Sequence, residues 1–389
     1  MLNKLNINYS CNQIVVALLF AYIGMVYFSM AIPNILLGLL VVVFIYGFFS
    51  HKIKLNFSKE NWVLFGLIIV PFILTVLSTL YSDNYIKGLK YVWLRAPILV
   101  ISFVIVFMQT TLKNIKQGLT LFVVFTILAS LKTAYNAFRY LNEDVLFITD
   151  FTFFITVIQH PYFGVFVLIS LISILEFNLI NNKLLKIAVL VLLTLSIALT
   201  TSRIVYMLFI IITSIYIYKY LSKEKALLLI VLLSISTVSL IVSNDSISAK
   251  FKAIYQYENS PRLKLWNNAY KIFSSSKSKL FGIGIGDYYE NNRDVYFFRE
   301  TENGIYGYNP HSQIVEFSLT NGIFGGAIIL LTMLLGFKEV LKQNRFSIFV
   351  FCIIISFSLS ETIFNRQFGV QLYAIFMPLI FKVNFKKKR

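Results

Sequence analysis

Apolar runs of membrane-crossing length recur along the whole chain, and no other feature restricts its folding so strongly. A helix needs about 20 apolar residues to cross the hydrocarbon core, and lipid tolerates only structures that satisfy their own backbone hydrogen bonds. Such runs stand at 13–30, 33–50, 61–80, 91–108, 118–138, 156–177, 185–200, 204–221, 226–243, 312–336, 346–364 and 368–383. They predict an all-α polytopic membrane protein with about 12 transmembrane helices. The balance of residues agrees. With 58% hydrophobic and 13% charged residues, the chain is too apolar for a water-soluble fold, where about a quarter of residues are charged.

A net charge of +18 would suit a nucleic-acid surface, but its distribution points elsewhere. With the N-terminus inside, the inner segments 1–12, 51–60, 109–117, 178–186, 219–225, 337–345 and 382–389 hold 19 Lys and Arg. The short outer connections 31–34, 81–90, 139–155, 201–203 and 365–367 hold 5. This is the positive-inside asymmetry, so the basicity reports topology. Both termini are expected in the cytoplasm, and no nucleic-acid partner is expected. The first run lacks a small-residue cleavage site and reads as a retained span. Cys11 and Cys352 are too far apart in sequence to suggest a metal pair, and no disulfide framework is indicated.

The chain divides into residues 1–243 with spans one to nine, an outer loop over 244–310, and residues 311–389 with spans ten to twelve and a basic tail. The loop carries nine basic and seven acidic residues. Within it, "NSPRLKLWNNAYKIF" offers Ser260 as N-cap and Pro261 at the first helical position. Helical spacing puts Leu263, Trp266, Ala269, Tyr270 and Phe273 on one face. Arg262 falls on that apolar face, where a guanidinium either meets an anion or snorkels from the first turn. The glycines of "LFGIGIGDYYENNRD" do not follow a strand and open a helix, as a phosphate loop should. They are expected to make a tight turn back to the membrane surface. Asp287, Glu290 and Asp294 could be grouped as a cation site, but their spacing equally suits solvated loop acids. No Asp-x-Asp pair occurs.

Further polar residues gather where the spans meet the outer face. In "YNPHSQIVEFSLTNGIFGG", Asn309 can cap a helix with Pro310 at its first position, which puts His311 in the first turn. There the helix dipole disfavours imidazolium and leaves a nitrogen able to accept a proton; a merely interfacial histidine fits too. Gln313, Glu316 and Thr320 continue a polar stripe that is expected to face a hydrated cavity. Arg203 in "LTTSRIVYM" opens span eight, where it either joins the helix N–H groups in holding an anion or anchors to headgroups. Arg95 in "YVWLRAP", His160 in "IQHPYF", and Glu361 with Arg366 in "SLSETIFNRQFG" are rim or intramembrane groups of the kind that mark functional sites.

Taken in order, "LSTLYSDNYIKGLKYVWLR", "HPYFG", "TTSRIVYMLF", "PRLKLWNNAYKIF", "LFGIGIGDYY", "NPHSQIVEFSLTNGIFGG" and "ETIFNRQFG" resemble the O-antigen ligase and polymerase superfamily of bacterial membrane glycosyltransferases. The resemblance covers roughly three quarters of the chain. It implies a multi-helix protein of the bacterial inner membrane, with a large periplasmic loop carrying short amphipathic helices. The implied donor is a glycan on undecaprenyl diphosphate, with lipid A core or another glycan as acceptor and the surrounding lipids as the remaining partners. By resemblance, Arg203 and Arg262 match the arginines that hold the donor diphosphate, and His311 matches the histidine that activates the acceptor hydroxyl. Glu316, Glu361, His160, Arg95 and Arg366 are supporting candidates, with the choice between Glu316 and Glu361 left open. The family commonly has His-Asn where this chain has His311-Ser312, which puts the acceptor in question.

The implied reaction is a metal-independent, inverting transfer that needs no cofactor, because the energy resides in the glycosyl-diphosphate bond. The long loop followed by the His-bearing span favours ligation. Repeat-unit polymerisation or transfer to a protein would use the same donor. A transporter or flippase for an anionic lipid is the reading from a different class. Internal two-fold symmetry, common in transporters, is not visible in the sequence.

Overall fold

The computed structural model describes residues 10–141, 158–220, 222, 225, 261–276, 278–287, 298–301, 304–307 and 309–382. It is an all-α polytopic membrane protein. Helices α1 (Cys11–Gly24), α2 (Ile32–Phe49), α3 (Lys59–Leu80), α4 (Tyr85–Phe107), α5 (Leu112–Leu141), α6 (His160–Phe177), α7 (Lys183–Leu199) and α8 (Arg203–Tyr220) form the first part. Then come α9 (Pro261–Ser275), strands β1 (Phe298–Thr301) and β2 (Gly304–Gly307), α10 (Gln313–Val340), α11 (Arg345–Ser360) and α12 (Gln367–Lys382). A 3-10 turn at Ile363–Asn365 joins the last two helices. Six of the described helices, α2 to α6 and α10, are long and apolar enough to cross a bilayer. The expected run at 226–243 lies outside the described residues.

Local chemistry sets the helix starts. Ser10 caps α1 in a complete capping box with Gln13, and Ser58, Asn182 and Asn344 accept from the N3 amides of α3, α7 and α11. Span four begins at Tyr85 rather than near residue 91, because Asn84 accepts from Lys87 N and draws "YIKGLK" into the helix. The loop contributes one described helix and also a hairpin, paired antiparallel from Phe298↔Gly307 to Thr301↔Gly304. The hairpin was not foreseen in the sequence.

The central packing is aromatic and aliphatic, with α6 and α12 almost fully enclosed by their neighbours. Tyr162 of α6 packs edge-on against Phe357 of α11, and Gly164 lies against Val205 of α8, where a Cβ would come within 2.8 Å. These contacts bring the starts of α6, α8 and α12 and the end of α11 to one end of the bundle. At the opposite end, Asn56 N donates to Phe107 O, Asn12 Nδ2 donates to Gln109 O, and Lys382 Nζ donates to Met108 O.

Helix α10 is broken at Gly322, whose φ of 68° and ψ of −166° lie outside helical space. A break inside a span frees backbone groups that lipid cannot satisfy. Here the glycine-rich stretch after α9 replaces the lost ladder. Ile283 N donates to Leu319 O and Gly284 N to Thr320 O, while Ile323 N donates to Lys279 O and Phe324 N to Leu280 O. Gly282 and Gly322 let the two backbones cross, since a Cβ on Gly322 would stand 2.2 Å from Leu280 O.

The same strap then fastens to the α3–α4 corner. Gly286 N donates to Ser82 Oγ, and the Asp287 carboxylate accepts from Asp83 N and Asn84 N, both at 2.8 Å. Tyr81 OH is shared between Phe281 O and Thr320 O. Burial pushes this phenol up to about 12, so it remains a donor through the neutral range. The expected tight turn is therefore a clasp across a broken helix. Asp287 is buried and occupied by backbone amides, so it is neither a solvated loop acid nor open to a cation; Glu290 and Asp294 lie outside the described residues.

Candidate active site

His311 does not sit in the first turn of α10. Asn309 Oδ1 accepts from His311 N at 3.0 Å, an Asx turn that competes with helix capping. His311 consequently takes a left-handed φ of 47°, Ser312 becomes the N-cap, and the helix begins at Gln313. The sequence expectation of a helix starting at Pro310 is corrected by this competing local hydrogen bond. A non-glycine residue in this region is strained and needs its surroundings to hold it. Trp266 Nε1 of α9 donates to Pro310 O at 2.8 Å, fixing the backbone on the N-terminal side of the histidine.

On the far side of the ring, His311 Nδ1 lies 2.9 Å from Glu361 Oε2. Glu361 ends α11 with an extended backbone, so its carboxylate projects from a helix terminus. A carboxylate partner calls for a proton on Nδ1, which leaves Nε2 as the lone-pair nitrogen. The two side chains are 30% and 19% exposed and line a polar cavity of about 410 Å³. Its other walls include His160, Tyr162, Asn309 and Arg366.

Arg95 and Glu316 belong to a different arrangement. Both are fully buried, and Arg95 Nη2 donates to Glu316 Oε1 at 2.5 Å and to Asn365 Oδ1 at 2.8 Å. Nη1 donates to Thr75 Oγ1 and Nε to Phe364 O, while the rings of Tyr91, Phe317 and Phe364 surround the guanidinium. The stripe Gln313, Glu316 and Thr320 is likewise buried. Glu316 enters this knot, Gln313 Oε1 accepts from Phe364 N, and Thr320 Oγ1 donates to Glu316 O within α10, so the expectation of a face on a hydrated cavity is corrected to a buried polar face: periodicity identifies the face, and the partners come from α4 and the turn at Ile363–Asn365. Between the two acids left open by the sequence, Glu361 is the one beside His311.

Arg203 is the first residue of α8, half-buried, beside the buried Thr201 and Ser202. The Gly164–Val205 contact sets it one helix away from His160. Arg262 lies in the first turn of α9, one helical turn before Trp266; its side chain lies outside the described residues. The buried row of α9 is Leu265, Ala269 and Ile272. Trp266, Ala269, Tyr270 and Phe273, four residues of the expected apolar face, together line an open apolar groove of about 530 Å³ against Ile314, Ser318, Gly326 and Leu330 of α10.

Residues 188–330 match the family model described as O-antigen ligase. No curated protein matches the chain. The matched segment contains Arg203, Arg262 and His311, while His160, Glu361 and Arg366 reach the cavity from outside it. Sequence reasoning missed Thr75 and Asn365, and it gave Asn309 the role of a helix cap in place of the turn it makes. Asn365 stands beside Arg366 in a stretch that had been singled out, but an asparagine next to an arginine carries no distinguishing signal.

Proposed function

We propose that this protein transfers a glycan from undecaprenyl diphosphate to an acceptor hydroxyl at the periplasmic face of a bacterial inner membrane, in the manner of an O-antigen ligase acting on lipid A core. The contact between His311 Nδ1 and Glu361 Oε2, on the wall of a polar cavity, carries this reading. A base with its tautomer fixed by a third group is the arrangement that activates hydroxyl nucleophiles. Nε2 takes the acceptor proton as the hydroxyl oxygen bonds to the anomeric carbon. The bond from that carbon to the phosphate oxygen breaks with inversion, and undecaprenyl diphosphate leaves with the electron pair.

Arg203 and Arg262 receive the charge that develops on the diphosphate, with Arg366 and His160 supporting from the cavity wall. Fixed donors aimed at a developing charge need no metal to stabilise it. The apolar groove beside Trp266 suits the isoprenoid chain of a carrier arriving from the bilayer. Basic residues such as Lys52, Lys113, Lys186 and Lys342 stand at the opposite end of the helices, which supports cytoplasmic termini and a periplasmic site.

Purified protein in proteoliposomes, given undecaprenyl-diphosphate-linked glycan and acceptor, is expected to release undecaprenyl diphosphate. His311→Ala should lower turnover by about 10²- to 10⁴-fold; full turnover by the folded variant would remove the base assignment. In cells, loss of capped lipopolysaccharide on deletion supports ligation. Chains shortened to a single repeat would assign polymerisation instead.

A further inference from the structure

The stretches that carry His311 and Glu361 are cross-linked beneath the cavity by bonds in which neither residue takes part. Two residues after His311, Gln313 Oε1 accepts from Phe364 N at 2.9 Å. Three residues further on, Glu316 Oε2 accepts from Asn365 Nδ2 at 2.7 Å. Phe364 and Asn365 themselves follow Glu361 by three and four residues. Arg95 reaches both stretches at once, through Glu316 on one side and Phe364 O and Asn365 Oδ1 on the other, and is anchored to α3 by Thr75.

Each partner in the His311–Glu361 contact sits at a chain position that would otherwise be loose. His311 precedes the N-cap of α10 in a left-handed conformation, and Glu361 follows the last residue of α11. A hydrogen bond between two such positions survives only if the segments are held within a fraction of an ångström. The planar guanidinium is suited to that, because its donors have fixed relative directions that a lysine ammonium lacks.

We propose that Arg95, acting with Glu316 and Asn365, is a positioning residue that sets the His311–Glu361 contact. It does so from below the cavity, without touching substrate. The effect on turnover rests on the reading of His311 as the base; the effect on ring geometry does not.

The test uses full-length protein in nanodiscs with 15N-labelled histidine. His311 is distinguished from His51 and His160 by comparison with His311→Gln. At mildly alkaline pH the wild-type His311 ring should carry its proton on Nδ1 in a strong hydrogen bond. In Asn365→Ala and Arg95→Lys it should shift to the tautomer mixture of an unrestrained imidazole. Asn365→Ala leaves the Arg95–Glu316 pair intact, so it carries the test if Arg95→Lys fails to fold.

Turnover measured by undecaprenyl diphosphate release should fall about tenfold or more in kcat, with KM within about twofold. An unchanged His311 signal in the folded variants overturns the proposal, whatever happens to stability. A shifted signal with unchanged kcat supports the positioning role and overturns the base assignment.

Discussion

Arg95 and Glu316 form an ion pair from which solvent is absent, both side chains being 0% exposed, whereas His311 and Glu361 keep 30% and 19% of their surface open. In the first pair both carboxylate oxygens accept protein donors, and the guanidinium uses all three of its nitrogens on protein acceptors. Such a pair can hold segments together, but its complete enclosure leaves no face open to a substrate. In the second pair the imidazole has one nitrogen on the carboxylate, and the ring lines an open cavity. Two glutamates in similar sequence settings thus have different work, divided by enclosure. Burying an ion pair is costly unless its remaining groups are satisfied, and around Arg95 every guanidinium nitrogen and both carboxylate oxygens have a protein partner.

The contrast can be broken most directly at Arg95. Arg95→Met strands the Glu316 carboxylate in the interior and is expected to cost about 3–5 kcal/mol of stability. Replacing both partners, with Arg95→Met and Glu316→Leu, should recover most of that loss. Thermal unfolding in detergent measures both, with His311→Ala as the reference that should leave stability nearly unchanged. Equal destabilisation by Arg95→Met and His311→Ala would erase the distinction between the pairs.

A smaller effect is expected at the clasp. Gly322→Ala would force a Cβ towards Leu280 O at a φ of 68°, costing about 1–3 kcal/mol in backbone strain alone. Its readout is faster amide hydrogen exchange across residues 278–286 together with a lower unfolding midpoint. The smallest change belongs to Glu339→Gln. Its partner Lys342 is 59% exposed, and exposed pairs of this kind contribute little, so the unfolding midpoint should not move measurably.

Much of the membrane architecture was legible in the sequence, because hydrocarbon imposes a length and a polarity that a one-dimensional reading can measure. The runs at 33–50, 61–80 and 156–177 reappear as α2, α3 and α6 with only their ends adjusted. The candidate site was legible as a set of residues but not as an arrangement. Asn309-Pro310 reads as a helix start, and the structure instead uses the asparagine to turn the chain before the helix. Local hydrogen-bonding alternatives of this kind differ little in energy, and contacts from elsewhere, here Trp266 on Pro310 and Glu361 on His311, select between them.

The glycine-rich stretch shows the same limit. Its glycines announce unusual backbone, but only the break at Gly322, far along the chain, explains which carbonyls those amides were needed to satisfy.

By itself the sequence determined that the chain is a helical membrane protein, which end of its helices is basic, and which charged residues stand near the opposite rim. These follow from transfer of side chains between water and lipid, a property of each residue and its neighbours. The tertiary structure alone decided that Glu361 partners His311, that Glu316 is sealed against Arg95, and that the glycine strap closes a broken span. Those outcomes depend on the separation of atoms brought together from distant parts of the chain, and hydrogen bonds and ion pairs are set by such distances to within a fraction of an ångström.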